Sequence, residues 1–176
     1  PTRENHGFIG WFTEADGGTQ ITAESVVTAH VNQKLYAHWA PNQFTLTYDA
    51  NGGSCSTATK ALTFGDSYGT LPTPTRTHYT FDGWYTAASG GTKVSADTTP
   101  TSATNVTIYA HWTLVPYTVS WSNGTGYTIS VKRTSSPNAK ASTGTLSSGA
   151  TVYYGDVLSV TYTASTGYSI SSKGIT

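Results

Sequence analysis

The fold is decided by the segment FDGWYTAASGG at residues 81–91, because the chain contains a second version of it, FIGWFTEADGG, at residues 8–18. These segments belong to two longer copies, residues 1–39 and 74–112, which align at a constant spacing of 73 positions without a gap. Eighteen of the 39 aligned pairs are identical, whereas average residue usage would give about two or three. The chain therefore contains a duplicated structural unit.

The composition favours strands and excludes several classes of protein. Of the 176 residues, 12% are aromatic and only 10% are charged, with nine basic and nine acidic side chains. Chains rich in Thr, Tyr and Val favour strands over helices. Because the net charge is zero, we predict no nucleic-acid partner. No apolar run approaches the ~18 residues that cross a bilayer, so we predict no membrane insertion in this fragment.

Alternating apolar and polar residues predict four strands within residues 44–112. Phe44, Leu46 and Tyr48 alternate with polar residues, which places them on one face of a half-buried strand. An Asn-Gly pair then predicts a hairpin turn. Further strands are predicted at 61–64, 79–85 and 107–112.

The third of these strands leaves two orientations open for its tryptophan. Trp84 has the opposite parity to Phe81, so a regular strand would place it on the outer face. A bulge at Gly83 would instead turn Trp84 into the core, and we favour that interpretation.

Residues 117–176 read as a more distant copy. Tyr-Gly-Asp at 154–156 echoes Phe-Gly-Asp at 64–66, and Tyr-Ser-Ile at 168–170 echoes Tyr-Thr-Phe at 79–81, at spacings of 90 and 89 rather than 73. Alternation predicts strands at 117–121, 127–131 and 158–164, and a Ser/Thr-rich stretch predicts a long loop at 134–150. We find no amphipathic helix pattern.

Several motifs in fixed order resemble the Listeria–Bacteroides repeat, the B repeat of the internalins. They read FTLTYDANGG at 44–53, FGD at 64–66, YTFDGWY at 79–85 and IYAHW at 108–112. The resemblance implies an all-β or β-rich α+β fold of small β-grasp-like repeat units, with mixed sheets and little or no helix. It implies that the last strand of a unit pairs beside the first. It further implies tandem arrays on secreted or cell-wall-attached bacterial proteins, and no catalytic residues.

The motif positions predict three parts joined by short linkers at 40–43 and 113–116. Residues 1–39 are the C-terminal part of a preceding repeat, 44–112 a complete unit, and 117–176 a divergent repeat truncated at its C-terminus. A half unit of this size lies below the ~40-residue limit for independent folding. We therefore expect residues 1–39 to pack against the complete unit, to pair with another chain, or to fray.

The residues that commonly carry chemistry do not form a recognisable motif. His38 and His111 are copies of one position, so we interpret them as solvent-facing structural histidines rather than metal ligands. A single cysteine, Cys55, excludes an internal disulfide. Four acidic residues are interpreted as turn residues rather than calcium ligands: Asp49, Asp66, Asp82 and Asp97. No motif supports a covalent crosslink at Lys60, Lys93, Cys55 or Gln43. We predict no catalytic, cofactor-binding or metal-binding residues and no cofactor, and the sequence leaves the ligand-binding residues unknown.

The repeated tryptophans are predicted to be core residues because they recur at equivalent places, as a core requires and a binding platform does not. This applies to Trp11, Trp39, Trp84 and Trp112, while Trp121 and Tyr153 remain open. The repeat interpretation also requires Trp11 and Trp84 to have like surroundings.

The sequence thus predicts a non-enzymatic, extracellular segment of a bacterial cell-surface or cell-wall protein. Its predicted role is a stalk or spacer whose partners are neighbouring repeats of the same chain, with adhesive contacts to a host or cell-wall glycan or protein. The alternative is a glycan- or protein-binding adhesin module that uses exposed Trp and Tyr side chains.

Overall fold

The computed structural model describes residues 1–28 and 31–169, and their regular structure consists of strands. Helix is absent from these residues, which confirms the all-β form of the predicted fold. The chain forms two compact units: residues 1–75 with 81–111, and residues 76–80 with those from 112 onward. The strands are β1 His6–Phe12, β2 Gln20–Ile21, β3 Tyr36–Pro41, β4 Gln43–Asp49, β5 Thr59–Thr63, β6 Tyr79–Tyr85, β7 Lys93–Val94, β8 Val106–Leu114, β9 Pro116–Val119, β10 Tyr127–Ser135, β11 Gly144–Leu146, β12 Ala150–Tyr153 and β13 Val157–Ala164.

Residues 44–112, predicted to be a complete unit and called the complete repeat from here on, form a five-stranded mixed sheet in the order β5-β4-β8-β6-β7. Strands β4 and β5 form an antiparallel hairpin. Between them, Asn51 and Gly52 have φ angles of 46° and 86°, so the Asn-Gly pair supplies the positive φ that the predicted turn requires. Strand β4 also pairs in parallel with β8, with Tyr48 opposite Ile108. The last strand of the unit therefore lies beside the first, as the family resemblance implied.

The core of this unit lies on the face that the alternation predicted. Phe44, Leu46 and Tyr48 of β4 are buried, and Ile108 of β8 is fully buried. Trp84 is only 2% exposed, so it points into the core and not to the outer face.

A register shift in the copied strand indicates how this tryptophan reaches the core. In β1, which copies β6, the pairing with β3 shifts in register between Phe8 and Gly10. Gly83, the copy of Gly10, has φ +138°, and a Cβ atom there would collide with the Lys93 side chain. Glycine meets both demands because it lacks a Cβ atom.

The N-terminal copy forms a three-stranded sheet in the order β2-β1-β3, and it packs against the complete repeat. The Asn42 N–H donates to the Asn5 carbonyl at 2.9 Å. The Ala103 N–H donates to Asn5 Oδ1, also at 2.9 Å. The His6 ring meets Phe64 edge-on, with centroids 5.6 Å apart. Of the three alternatives for this half unit, the structure shows the first.

The predicted linkers at 40–43 and 113–116 are wrong, because strands occupy nearly all of both stretches. Strand β3 ends at Pro41 and β4 begins at Gln43; β8 ends at Leu114 and β9 begins at Pro116. Proline is tolerated at the ends of strands. Pro41 and Pro116 therefore belong to strands and do not mark flexible linkers.

The second unit holds a two-stranded sheet, β12-β9, and a three-stranded sheet, β11-β10-β13. The antiparallel pair β9 and β12 is the counterpart of the hairpin β4–β5, since Pro116 pairs with Tyr153 as Gln43 pairs with Thr63. The segment between β9 and β12 is longer than the segment between β4 and β5. Equivalent residues are 73 positions apart before this segment and 90 positions apart after it. This longer segment contains β10 and β11.

The strands predicted in this unit are present in β9, β10 and β13. The loop predicted at 134–150 is wrong in part, since β11 and the start of β12 lie within it. The reason is that threonine favours strands wherever a partner strand is available. The part of the predicted third segment from 170 to 176, including the end of the echo at 168–170, lies outside the described residues.

Candidate functional site

The two repeated histidines make the same contacts in both copies. Nε2 of His38 lies 2.9 Å from the Glu14 carbonyl oxygen, and Nε2 of His111 lies 2.9 Å from the Ala87 carbonyl oxygen. The His38 ring stacks on Phe12 with centroids 4.0 Å apart, and the His111 ring stacks on the copy of that residue at 3.9 Å. Both side chains are half-buried rather than solvent-facing. Each histidine therefore ties its strand to the turn that follows β1 or β6.

The aromatic pairs are copied as closely. Phe8 and Trp11 have centroids 5.8 Å apart at 70°, and Phe81 and Trp84 have centroids 5.7 Å apart at 70°. A side-chain bond within the following turn also recurs, since the Thr19 N–H donates to Thr13 Oγ1 at 3.0 Å and the equivalent bond in the second copy measures 2.9 Å. The local structure of the two copies is therefore the same.

The surroundings of the two tryptophans nevertheless differ, so the expectation that they are alike is wrong, as is the prediction that Trp11 is a core residue. Trp11 is 40% exposed, whereas Trp84 is 2% exposed. The Trp84 ring packs on Tyr48 at 5.3 Å, and its indole N–H donates to the Pro72 carbonyl at 2.8 Å. Those partners come from residues 44–73, which precede the second copy. The contacts within each copy are therefore the same, whereas the burial of the tryptophan depends on residues outside the copied segment.

The other tryptophans of the chain are half-buried. Trp39, expected in the core, meets the Phe8 ring edge-on with centroids 5.3 Å apart. Trp121, whose position the sequence left open, is held through its backbone, since its N–H donates to Ser148 Oγ at 2.9 Å. Of the four tryptophans predicted to be core residues, only Trp84 is fully buried.

The other residues considered for chemistry lie on strands, in turns or in loops of the first unit. Asp82 lies within β6, so its interpretation as a turn residue is wrong, whereas Asp97 lies in a turn. Asp49 Oδ1 accepts from the Asn51 N–H at 2.8 Å, and Asp66 Oδ2 accepts from the Thr63 N–H at 3.2 Å. Among the described residues, no group of three or more His, Cys, Asp or Glu side chains is placed to hold a metal ion. Three further residues lie apart from the turns: Lys60 and Lys93 donate to backbone carbonyls, and Cys55 is a half-buried free thiol.

A groove of about 520 Å³ lies in the second unit. Its lining combines three aromatic rings with two prolines, one amide and one ammonium group. The lining residues are Tyr79, Trp112, Thr113, Leu114, Pro116, Pro137, Asn138, Ala139, Lys140 and Tyr153. Tyr153, which the sequence left open between core and binding surface, is half-buried and lines this groove. Trp112, expected in the core, is also half-buried and lines it together with Tyr79.

A buried ion pair holds the walls of this groove together. Arg133 Nε donates to Asp156 Oδ2 at 2.8 Å, and the two side chains are 6% and 2% exposed. The Arg133 guanidinium also donates to the carbonyls of Ser142 and Thr151. Asp156 Oδ2 in turn accepts from the Tyr153 N–H at 3.0 Å. The pair therefore joins β10 and the loop that follows it to strand β12.

The surroundings of Asp156 favour its charged form. Burial by itself would raise the pKa of this carboxyl, but hydrogen bonds from Ser136 and from the Tyr153 backbone, together with the Arg133 charge and hydrogen bond, outweigh it. The net result is a pKa below the usual value of 3.8. Asp66 caps the equivalent turn of the complete repeat, so the second unit adds an arginine to a turn that both units share. The sequence revealed the copied turn but not the arginine, which is 23 residues away.

Residues 1–39 and 74–112 share one set of contacts, which we call the copied cassette. Together with the small β-sheets, it defines an all-β tandem-repeat protein. The chain belongs to the Listeria-Bacteroides repeat domain family, whose match covers residues 1–38 and 44–111. The part of the second unit from residue 112 onward lies outside that match.

Relatives are found among bacterial surface and membrane proteins. Internalin H of Listeria monocytogenes is 34% identical over 113 residues, covering 64% of this chain and 20% of that protein. A putative Gly-rich membrane protein of Evansella cellulosilytica is 31% identical over 136 residues, covering 74% of this chain and 15% of that protein. A putative membrane protein of the same organism is 31% identical over 125 residues, covering 68% and 18%. This chain thus spans a fifth or less of each relative's length.

Within the described residues no helix has the length and apolar character needed to span a bilayer.

Proposed function

We propose that this chain is a non-enzymatic part of a stalk or spacer on an extracellular bacterial surface protein, where it separates another domain from the cell. The observation that carries the proposal is the copied cassette, whose histidine and aromatic ring contacts recur at nearly equal distances and angles in both copies. A repeated contact set is what a length-setting array requires, because each copy adds the same structural unit.

The connection between the first copy and residues 44–112 supports a spacer. Only Asn42 separates β3 from β4, and its N–H is bonded to the Asn5 carbonyl. A hydrogen-bonded connection of one residue leaves little freedom between the first copy and the strand β4 that follows it, in contrast to a Gly/Ser-rich linker. We further propose that residues 1–39 are the C-terminal part of a repeat and that residues 117–176 are a divergent one, so that neighbouring repeats are the first partners of this chain.

Single-molecule pulling tests the spacer proposal. The complete repeat, residues 44–112, should unfold as one step with a contour length of about 230–250 Å, given ~3.3–3.6 Å per extended residue. Insertion of a second copy of residues 44–116 should add a second step of the same size at a similar force. A chain that stretches gradually without discrete steps would contradict the proposal, because such a segment cannot hold a fixed length under load.

A second candidate is an adhesin module that binds a glycan or a protein, and the groove in the second unit favours it. Most of the groove lining lies outside the family match, and part of it belongs to the longer segment between β9 and β12. Binding to a glycan array that disappears when a groove side chain is changed would support this candidate over a purely architectural role.

A further inference from the structure

We propose that the groove of the second unit binds an acidic saccharide, with one pyranose ring seated on its aromatic walls and a sugar carboxylate held by Lys140. The proposal goes beyond the spacer role and does not depend on it, because a module can bind a sugar whether or not it also sets a distance.

The size and lining of the groove fit a sugar ring. At about 520 Å³ it lies within the range of ~300–1,000 Å³ typical of small-molecule sites. Tyr79, Trp112 and Tyr153 supply aromatic surface. The C–H bonds on one face of a pyranose carry partial positive charge, and the face of an aromatic ring is negative, so the two attract. Arg76 lies over the Tyr79 ring at 3.9 Å from the centroid, which helps to fix the orientation of this wall.

The polar groups of the groove favour an acidic sugar over a neutral one. Among the described residues that line it, Lys140 is the only charged one, so no carboxylate competes with a bound anion. Lys140 is exposed, and its backbone N–H donates to Asn138 Oδ1 at 3.0 Å. The Asn138 N–H donates to Ser136 Oγ at 3.1 Å. Neither bond uses the Asn138 Nδ2 donors, which suit a sugar hydroxyl.

The groove is organised in advance by the ion pair of Arg133 and Asp156. Through Ser142, Thr151 and Tyr153, this pair holds the loop that carries residues 137–140 against β12. A buried ion pair contributes little net stability compared with apolar packing, so its position between the two walls is better explained by the geometry it fixes. Fixed walls reduce the entropy lost on binding.

A proline-rich peptide is the main competing occupant, because aromatic-lined grooves also accept polyproline helices. In this groove the aromatic rings are accompanied by the ammonium group of Lys140 and the amide of Asn138 rather than by further aromatic rings. That combination gives a carboxylate and hydroxyls their own partners, and we therefore favour the sugar.

The test is an NMR titration of the whole chain with trigalacturonic acid as the acidic probe and the neutral trisaccharide of galactose as its counterpart. We expect the acidic probe to shift the signals of the groove residues and to bind at least tenfold more tightly than the neutral one. Lys140→Glu should weaken binding of the acidic probe tenfold or more, because a charge-assisted hydrogen bond is replaced by repulsion. Tyr153→Leu should weaken binding of both probes while retaining apolar packing.

The matched control is Lys132→Glu, which makes the same charge change at an exposed position of β10 outside the groove lining. It should leave binding within twofold of the unaltered chain. Equal binding of the neutral probe, an equal loss in the Lys132 and Lys140 variants, or shifts outside the groove would overturn the proposal. We expect a Kd of about 1 mM for the acidic probe. Absence of binding at about tenfold higher concentration would also overturn the proposal. Tight binding of a proline-rich peptide at these residues, with none of the acidic sugar, would replace the sugar by the peptide.

Discussion

Adding the counterpart of residues 40–73 ahead of the first copy should bury Trp11. We suggest placing a second copy of residues 40–73 directly before Pro1, so that a threonine joins Pro1 as Thr73 joins Pro74. The added segment supplies counterparts of Tyr48 and Pro72, the residues that cover Trp84. Because the two copies align without a gap, the new hairpin should pair with β3 as β4 pairs with β8.

The expected gain follows from the difference in exposure. Trp11 should change from 40% exposed toward the 2% of Trp84, which buries about 95 Å² if a tryptophan offers ~250 Å². At ~25 cal/mol per Å² this stabilises the first repeat by about 2.4 kcal/mol. Leu35, which is 39% exposed where its copy Ile108 is fully buried, adds about 0.8 kcal/mol. The two side chains together contribute about 3 kcal/mol, which is an upper estimate.

The assay is hydrogen exchange of the indole N–H groups, with urea unfolding in parallel. The Trp11 indole N–H should become as protected as that of Trp84, because it gains the equivalent of the bond to the Pro72 carbonyl. A control graft in which the copies of Leu46 and Tyr48 are replaced by serine should leave Trp11 unprotected. An intact graft that folds while Trp11 stays as exposed as before would contradict the expected burial.

Three further predictions concern stability. Trp84→Ala should destabilise the first unit by about 3–5 kcal/mol in urea unfolding, because a fully buried ring leaves a cavity; a cost under ~1 kcal/mol would contradict its place in the core. Since the pKa of Asp156 is lowered on folding, its contribution should be present above pH ~4 and lost as the pH falls through the lowered pKa. Urea titrations from acidic to neutral pH should show this for the second unit, and Asp156→Asn should abolish it. Gly83→Ala should cost about 1–3 kcal/mol in thermal unfolding, since φ is +138° and the added Cβ meets Lys93, whereas the control Gly90→Ala meets no atom within 4 Å and should cost less.

The architecture of the first unit was largely predictable from the sequence because its signals are local and repeated. The alternation of Phe44, Leu46 and Tyr48 identified the buried face of β4. The orientation of Trp84 required one further step, the recognition that glycine permits a bulge. Each of these inferences depends on residues that are close together in the chain or on their copies.

The groove was not predictable, because it depends on contacts between residues distant in the chain. Tyr79 and Tyr153 belong to different strands that are far apart in the sequence, and the strong repeat signal assigned the aromatic residues to cores. Arg133 has the same parity in β10 as the buried Val131, but a charged residue is rarely buried unless it is paired; its carboxylate partner becomes evident only after folding. The exposure of Trp11 was mispredicted for a related reason, since burial belongs to the whole repeat and not to its copied half.

The copied cassette is tested most directly by the side chains of His38 and His111. Nitrogen-15 NMR at neutral pH should find Nε2 protonated in both rings, with slowed exchange of both protons, because each Nε2 faces a backbone carbonyl at 2.9 Å. Different tautomers in the two rings, or rapid exchange of one proton alone, would show that the two copies do not share a structure.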